Sequence, residues 1–164
     1  MTELPPRLFS SDEEIDELGK AWLECRLARE AWTHEAHLAA TTWLLLCRPE
    51  IDADAELGPI IRRFNASVGG VNDDTQGYHE TVTRVFLHGV RLFLAEADRS
   101  RPLHRLVNGL LRSPMGGRDW PLRFYSRDLL FSVKARRGWV PPDLAPLPPQ
   151  PCLTARAARA RSGS

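Results

Sequence analysis

Apolar residues in the first part of the chain recur at three- and four-residue steps. Ile15, Leu18, Trp22 and Cys25 form one stripe, while Glu13, Glu17, Lys20 and Glu24 fall on the other side. That is the period of an amphipathic helix. Ser11-Asp12-Glu13-Glu14 reads as a capping box with acidic residues at the positive helix end, so the spacing predicts a first helix over residues 11 to about 29. The pattern changes at Leu38. From there to Cys47 only Thr41 and Thr42 interrupt an apolar run, and a helix that is apolar nearly all round is buried on most sides. With Thr33 as its N-cap and Arg48-Pro49 as its stop, this segment is expected to be the central helix.

Residues 50–58 read as acidic and flexible. Pro59 suits the first turn of a third helix, carried by Ile60, Ile61 and Phe64 and ended by Val68-Gly69-Gly70. The polar loop that follows, with Asn72-Asp73-Asp74-Thr75, is expected to cap a fourth helix over residues 78–97. In that helix His79, Val82, Thr83, Phe86, Val90 and Phe93 share one face, opposite Arg84, His88 and Arg91. Pro102 opens a fifth helix and Ser113-Pro114 closes it. Short helices are expected around residues 127–131 and 133–137. No alternating strand pattern of useful length occurs. The expected fold is therefore all-α: one helical bundle of about five main helices over residues 11–139, behind a flexible lead-in at 1–10. A proline-rich extended strap at 140–151 and a disordered tail at 152–164 follow it.

Composition narrows the classes. A chain of 164 residues with 43% hydrophobic content fits one domain with a proper core. A net charge of +1 lacks the basic excess of a phosphate-binding surface, so nucleic acid is not the expected partner. The three cysteines, Cys25, Cys47 and Cys152, form no CxxC pair. Cys25 and Cys47 are expected to pack as small hydrophobes, and the odd count points to a reducing cytoplasm. The N-terminus has no signal pattern, and no apolar run approaches the roughly 20 residues that span a bilayer. A cytoplasmic protein without a membrane partner is expected.

The candidate chemistry lies at two helix starts. His34 and His37 are three apart in Trp32-Thr33-His34-Glu35-Ala36-His37, so both imidazoles lie on one helical face, the face of Thr41, Leu44 and Leu45. In the first turn the positive dipole end disfavours protonation, and a neutral imidazole is what a metal needs. His79 lies on the apolar stripe of the fourth helix, with Glu80 at the stripe's edge. His34, His37 and His79, with Glu80 as fourth ligand, partner of a histidine or general base, would suit a divalent Zn, Fe or Mn site with open positions. The bland alternative is that these are core and helix-end histidines satisfied by backbone and threonine groups. His88 and His104 read as solvated, as does Glu24. Arg123, Tyr125 and Arg127 either meet an anionic substrate or divide into a packed tyrosine and wet arginines. No phosphate loop, nucleophile elbow or Cys/His dyad is present.

The Trp32-Thr33-His34-Glu35-Ala36-His37-Leu38 and Tyr78-His79-Glu80-Thr81 segments resemble those of an uncharacterised family of small bacterial helical proteins. The likeness extends through Tyr125-Ser126-Arg127 and Trp139-Val140-Pro141-Pro142-Asp143-Leu144, over about residues 20–146. It implies that these segments belong together, and that a glutamate near Glu24 accompanies them; it implies no activity. Two functions follow from the residues. One is a metal-dependent hydrolase or oxidoreductase acting on a small molecule. The other is a non-catalytic binding or protein-interaction module with structural histidines.

Overall fold

In the computed structural model, which describes residues 5–151, seven α-helices and three 3-10 turns are joined by short loops, and no strand occurs among the described residues. Helix α1 (Asp12–Leu23) begins as its capping box dictates: the Ser11 hydroxyl accepts from the Glu14 amide, and Glu14 Oε2 accepts from the Ser10 amide at 2.8 Å. It ends earlier than the apolar spacing predicts. Cys25 adopts φ 56°, and the Cys25 and Arg26 amides fold back to Trp22 O and Ala21 O at 3.1 and 2.7 Å. This is a Schellman closure with cysteine where glycine is usual, at a cost of about 1–2 kcal/mol for the left-handed residue.

Helix α2 (His34–Cys47) is the central element. Thr33 Oγ1 accepts from the Ala36 amide, and every residue from Leu38 to Leu44 is buried. Thr41 and Thr42 sit in this apolar surround because each hydroxyl donates to the carbonyl four residues back, at 2.8 Å. Cys47, expected in the core, is exposed at the end of α2, while Cys25 after α1 is half-buried.

α1 meets α2 at one tight contact. A Cβ built on Gly19 would lie 2.3 Å from the Trp43 ring, so glycine is what lets the indole lie flat on α1. There Trp43 Nε1 donates to Asp16 Oδ1 at 3.0 Å.

Helix α3 (Ala53–Ser67) starts six residues before Pro59, in the stretch expected to be flexible. Asp52 accepts from the Asp54 and Ala55 amides, and Glu56 Oε2 accepts from the Asp52 amide at 2.7 Å. Reciprocal capping, with Ala53 and Leu57 buried, outweighs the proline. Pro59 is exposed inside the helix, so the carbonyl it leaves unpaired stays wet.

The loop residues expected to cap α4 organise their own loop instead. Asn72 Oδ1 accepts from the Tyr78 amide at 3.0 Å, and Asp73 Oδ1 accepts from the Thr75 and Gln76 amides.

Helix α4 (Glu80–Glu96) is buried on two sides. Leu87, Val90 and Leu94 face the core shared by α1 to α5 (Leu103–Arg112). Val85 faces a second core with Trp120, Phe124, Tyr125, Leu130 and Val140. That second core belongs to the chain after α5: the 3-10 turns Pro114–Gly116 and Trp120–Arg123, then α6 (Arg127–Leu130) and α7 (Val133–Arg137), where short helices were expected. Thr81, fully buried, joins the two parts. Its hydroxyl donates to Gly138 O at 2.9 Å and accepts from the Val140 amide. A bidentate Arg91–Asp54 pair at 2.8 and 2.9 Å ties α4 to α3.

The stretch from Val140 to Pro151 has no regular structure; Ala145 and Leu147 pack on the second core. His88 and His104, expected in solvent, both hold other elements. His88 Nε2 donates to Pro148 O at 2.6 Å, and His104 Nδ1 pairs with Asp12 at 2.5 Å. Ahead of α1, Phe9 exchanges two bonds with the Asn108 side chain at 2.9 Å. The expected tail at 152–164 lies outside the described residues. No helix among those described is long and apolar enough to cross a membrane.

Gly19→Ala should lower stability by about 1–3 kcal/mol, the cost of overpacking a closed contact, read as a shift of the urea midpoint. An unchanged midpoint would show that the Trp43 seat is not rigid.

Candidate functional site

The starts of α2 and α4 face one cavity of about 570 Å³, walled also by α3 and the loop after it. His34, His37 and His79 all line it, so the two helix starts do meet at one place. Thr33 and the 3-10 turn Arg29–Ala31 set the entry angle of α2 and place Trp32 on the cavity wall. The Trp32 indole stacks on Trp22 (centroids 5.3 Å), meets Phe64 edge-on (5.2 Å) and covers the His37 ring at 3.8 Å.

The histidines play different parts. His34 Nε2 donates to Gly116 O at 2.8 Å, which leaves Nδ1 as an acceptor with no partner among the described residues, and its ring meets Phe86 edge-on. The Gly116 carbonyl comes this close because its residue is glycine, where a Cβ would strike Leu110 O at 2.2 Å. His37 lines the cavity under Trp32, and its ring nitrogens have no hydrogen-bond partner among the described residues. Burial, and then the neighbouring His34, push its pKa down to about 3, so this imidazole is neutral at ordinary pH and is a hydrogen-bonding group rather than a proton acceptor.

His79 is the N-cap of α4. Its Nδ1 accepts from the Val82 amide at 3.2 Å and its Nε2 donates to Leu130 O at 2.8 Å. Both nitrogens are engaged within the protein, and burial lowers its pKa as well. Glu80 turns to the far side of Tyr78. It accepts from the Tyr78 hydroxyl at 2.5 Å and from Arg84 Nε at 2.6 Å. Burial alone would raise its carboxyl, but those two donors outweigh burial and hold it below the usual range.

Glu80 lines a smaller cleft of about 310 Å³, which shares Leu57, Tyr78, Thr83 and Leu87 with the large cavity. The expected four-ligand set is therefore not drawn together. Among the described residues no group of three or more His, Cys, Asp or Glu side chains is placed to hold a metal.

Of the other residues weighed, Glu24 is exposed and paired with Arg26. Tyr125 is fully buried and donates to Val140 O at 2.7 Å, while Arg123 and Arg127 stay exposed. The packed reading of that segment holds. Sequence reasoning did not single out Tyr78, whose ring Arg62 covers at 4.4 Å, nor Arg29 and Arg118 at the cavity mouth. Tyr78 had a signal in Gly58, one turn before the α3 core residues: a Cβ there would lie 2.6 Å from the Tyr78 hydroxyl.

No known protein family, no curated protein and no solved structure matches the chain.

His79→Ala removes a cap and leaves a carbonyl without its donor, so urea unfolding should show a loss of about 1–3 kcal/mol. His79→Asn, which can cap but not reach Leu130, should fall between. A loss in His79→Ala below about 0.5 kcal/mol, the range of ordinary surface changes, would refute the structural role.

Proposed function

We propose that the protein binds a small, mostly apolar molecule in the large cavity, oriented by hydrogen bonds with His34, which accepts at Nδ1, and His37. The observation that carries this is His37: a neutral imidazole on the wall of a cavity of about 570 Å³, covered by Trp32, with no partner for its ring nitrogens among the described residues. Polar atoms on a cavity wall without a protein partner are satisfied by water or by a ligand, and a mostly apolar concave site with a few convergent polar groups is the usual form of a ligand pocket. The neutral fluorophore N-phenyl-1-naphthylamine should bind with one-to-one stoichiometry. Thr41→Phe, which places a ring in the cavity, should weaken it about tenfold or more with the helical circular dichroism unchanged. Equal affinity in a folded Thr41→Phe variant would place the probe elsewhere.

A second reading keeps the metal. Among the described residues His34 Nδ1 and both His37 nitrogens have no hydrogen-bond partner, and both rings line one cavity from one helical turn, so two imidazoles would hold a divalent ion whose remaining positions are filled by the ligand or water. This is the form in which a metal-dependent hydrolase or oxidoreductase stays open. His79 and Glu80 would be no part of the ion's shell. Cobalt titration should then give a visible absorption band in the wild type and His79→Ala but not in His37→Ala. A band that survives in His37→Ala, or no band at all, rejects it.

A further inference from the structure

The large cavity has a one-sided charge. Two guanidiniums, Arg29 and Arg118, stand exposed at its rim, and among the described residues no aspartate or glutamate lines it. Neither has a hydrogen bond, ion pair or ring partner among the described residues. The donors of Arg84 and Arg91 on α4 are taken by Glu80 and Asp54. The acids adjacent in sequence, Glu30 and Asp119, do not line the cavity, and Asp119 Oδ1 lies instead against Gly117. The smaller cleft offers the contrast: Arg62 and Arg84 share it with Asp54 and Glu80, so its charges balance.

The two arginines come from different parts of the fold. Arg29 opens the 3-10 turn before α2, and Arg118 lies two residues beyond Gly116, whose carbonyl is fixed by His34 Nε2. Arg118 is thus presented by a loop anchored to the first turn of α2.

A rim of unpaired guanidiniums attracts a carboxylate or similar anion and can hold it bidentately. Below the rim the walls are Trp32, Phe64 and Phe86, and His37 is neutral; a charge placed that deep would be desolvated without a partner. We propose that the occupant is an amphiphilic anion. A single carboxylate-like head lies between Arg29 and Arg118, and an aromatic or short alkyl body lies on the aromatic walls toward His34 and His37. The assignment rests on the cavity being a binding site, as argued above.

The test is calorimetric titration of the full chain with three ligands that differ only in the head: 4-phenylbutyrate, 4-phenyl-1-butanol and 4-phenylbutylammonium. The carboxylate should bind about tenfold tighter than the alcohol at low salt, with the ammonium weakest, and added salt should shrink the gap. In the double variant Arg29→Gln/Arg118→Gln the gap should close while the affinity for the alcohol stays. Both side chains are exposed, so the variant should fold. Equal binding of carboxylate and alcohol to the wild type, or a gap that survives in the double variant, overturns the anion assignment and leaves the pocket standing. Binding of none of the three, together with none of the neutral fluorophore, overturns the pocket and this assignment with it.

Discussion

The structure depends on the burial of α2. From Leu38 to Leu44 the helix has no solvent side, and the remaining long helices are arranged to cover it. The cover closes only where a side chain is missing: at Gly19 the Trp43 ring takes the place of a Cβ. The first turn of this helix is only partly covered, and His34 and His37 stand there on the wall of the cavity. The cavity is the place where that cover is incomplete, between the start of α2 and the start of α4.

Much of this was legible. The caps Ser11 and Thr33, the stop at Arg48-Pro49, the fifth helix and the two short helices after Ser126 stand where local chemistry puts them. So does the face that His34 shares with His37, since a three-residue step fixes it. The misses have physical causes. The end of α1 was hidden because Cys25 takes a left-handed conformation that sequence rules assign to glycine. The start of α3 was hidden because proline weighs heavily in a local reading, while Asp52 and Glu56 capping and two buried side chains weigh more in the fold.

The geometry at the helix starts departs from the local reading at a subtler point. His79 does lie at a helix start in an apolar surround, and it does line the cavity. What periodicity cannot say is which side of the helix start a cap residue turns to. Its partner carbonyl, at Leu130, is 51 residues away, and only the tertiary structure brings it near. Glu80 was misjudged for the same reason: Tyr78 and Arg84, not the histidines, are its neighbours. Arg118 gave no local signal at all, because its place depends on a glycine carbonyl meeting His34.

The long reach of these ties bears on how the chain is made. Thr81 is joined to Gly138, 57 positions later, and Phe9 to Asn108, 99 positions later. During synthesis α1 to α5 emerge with Val85 and Thr81 still uncovered, and they stay uncovered until the segment through Val140 leaves the ribosome. A nascent chain paused after α5 therefore shows an apolar strip along α4, the kind of surface that chaperones bind. Nonlocal closure of this sort slows folding relative to a simple helical bundle of equal length.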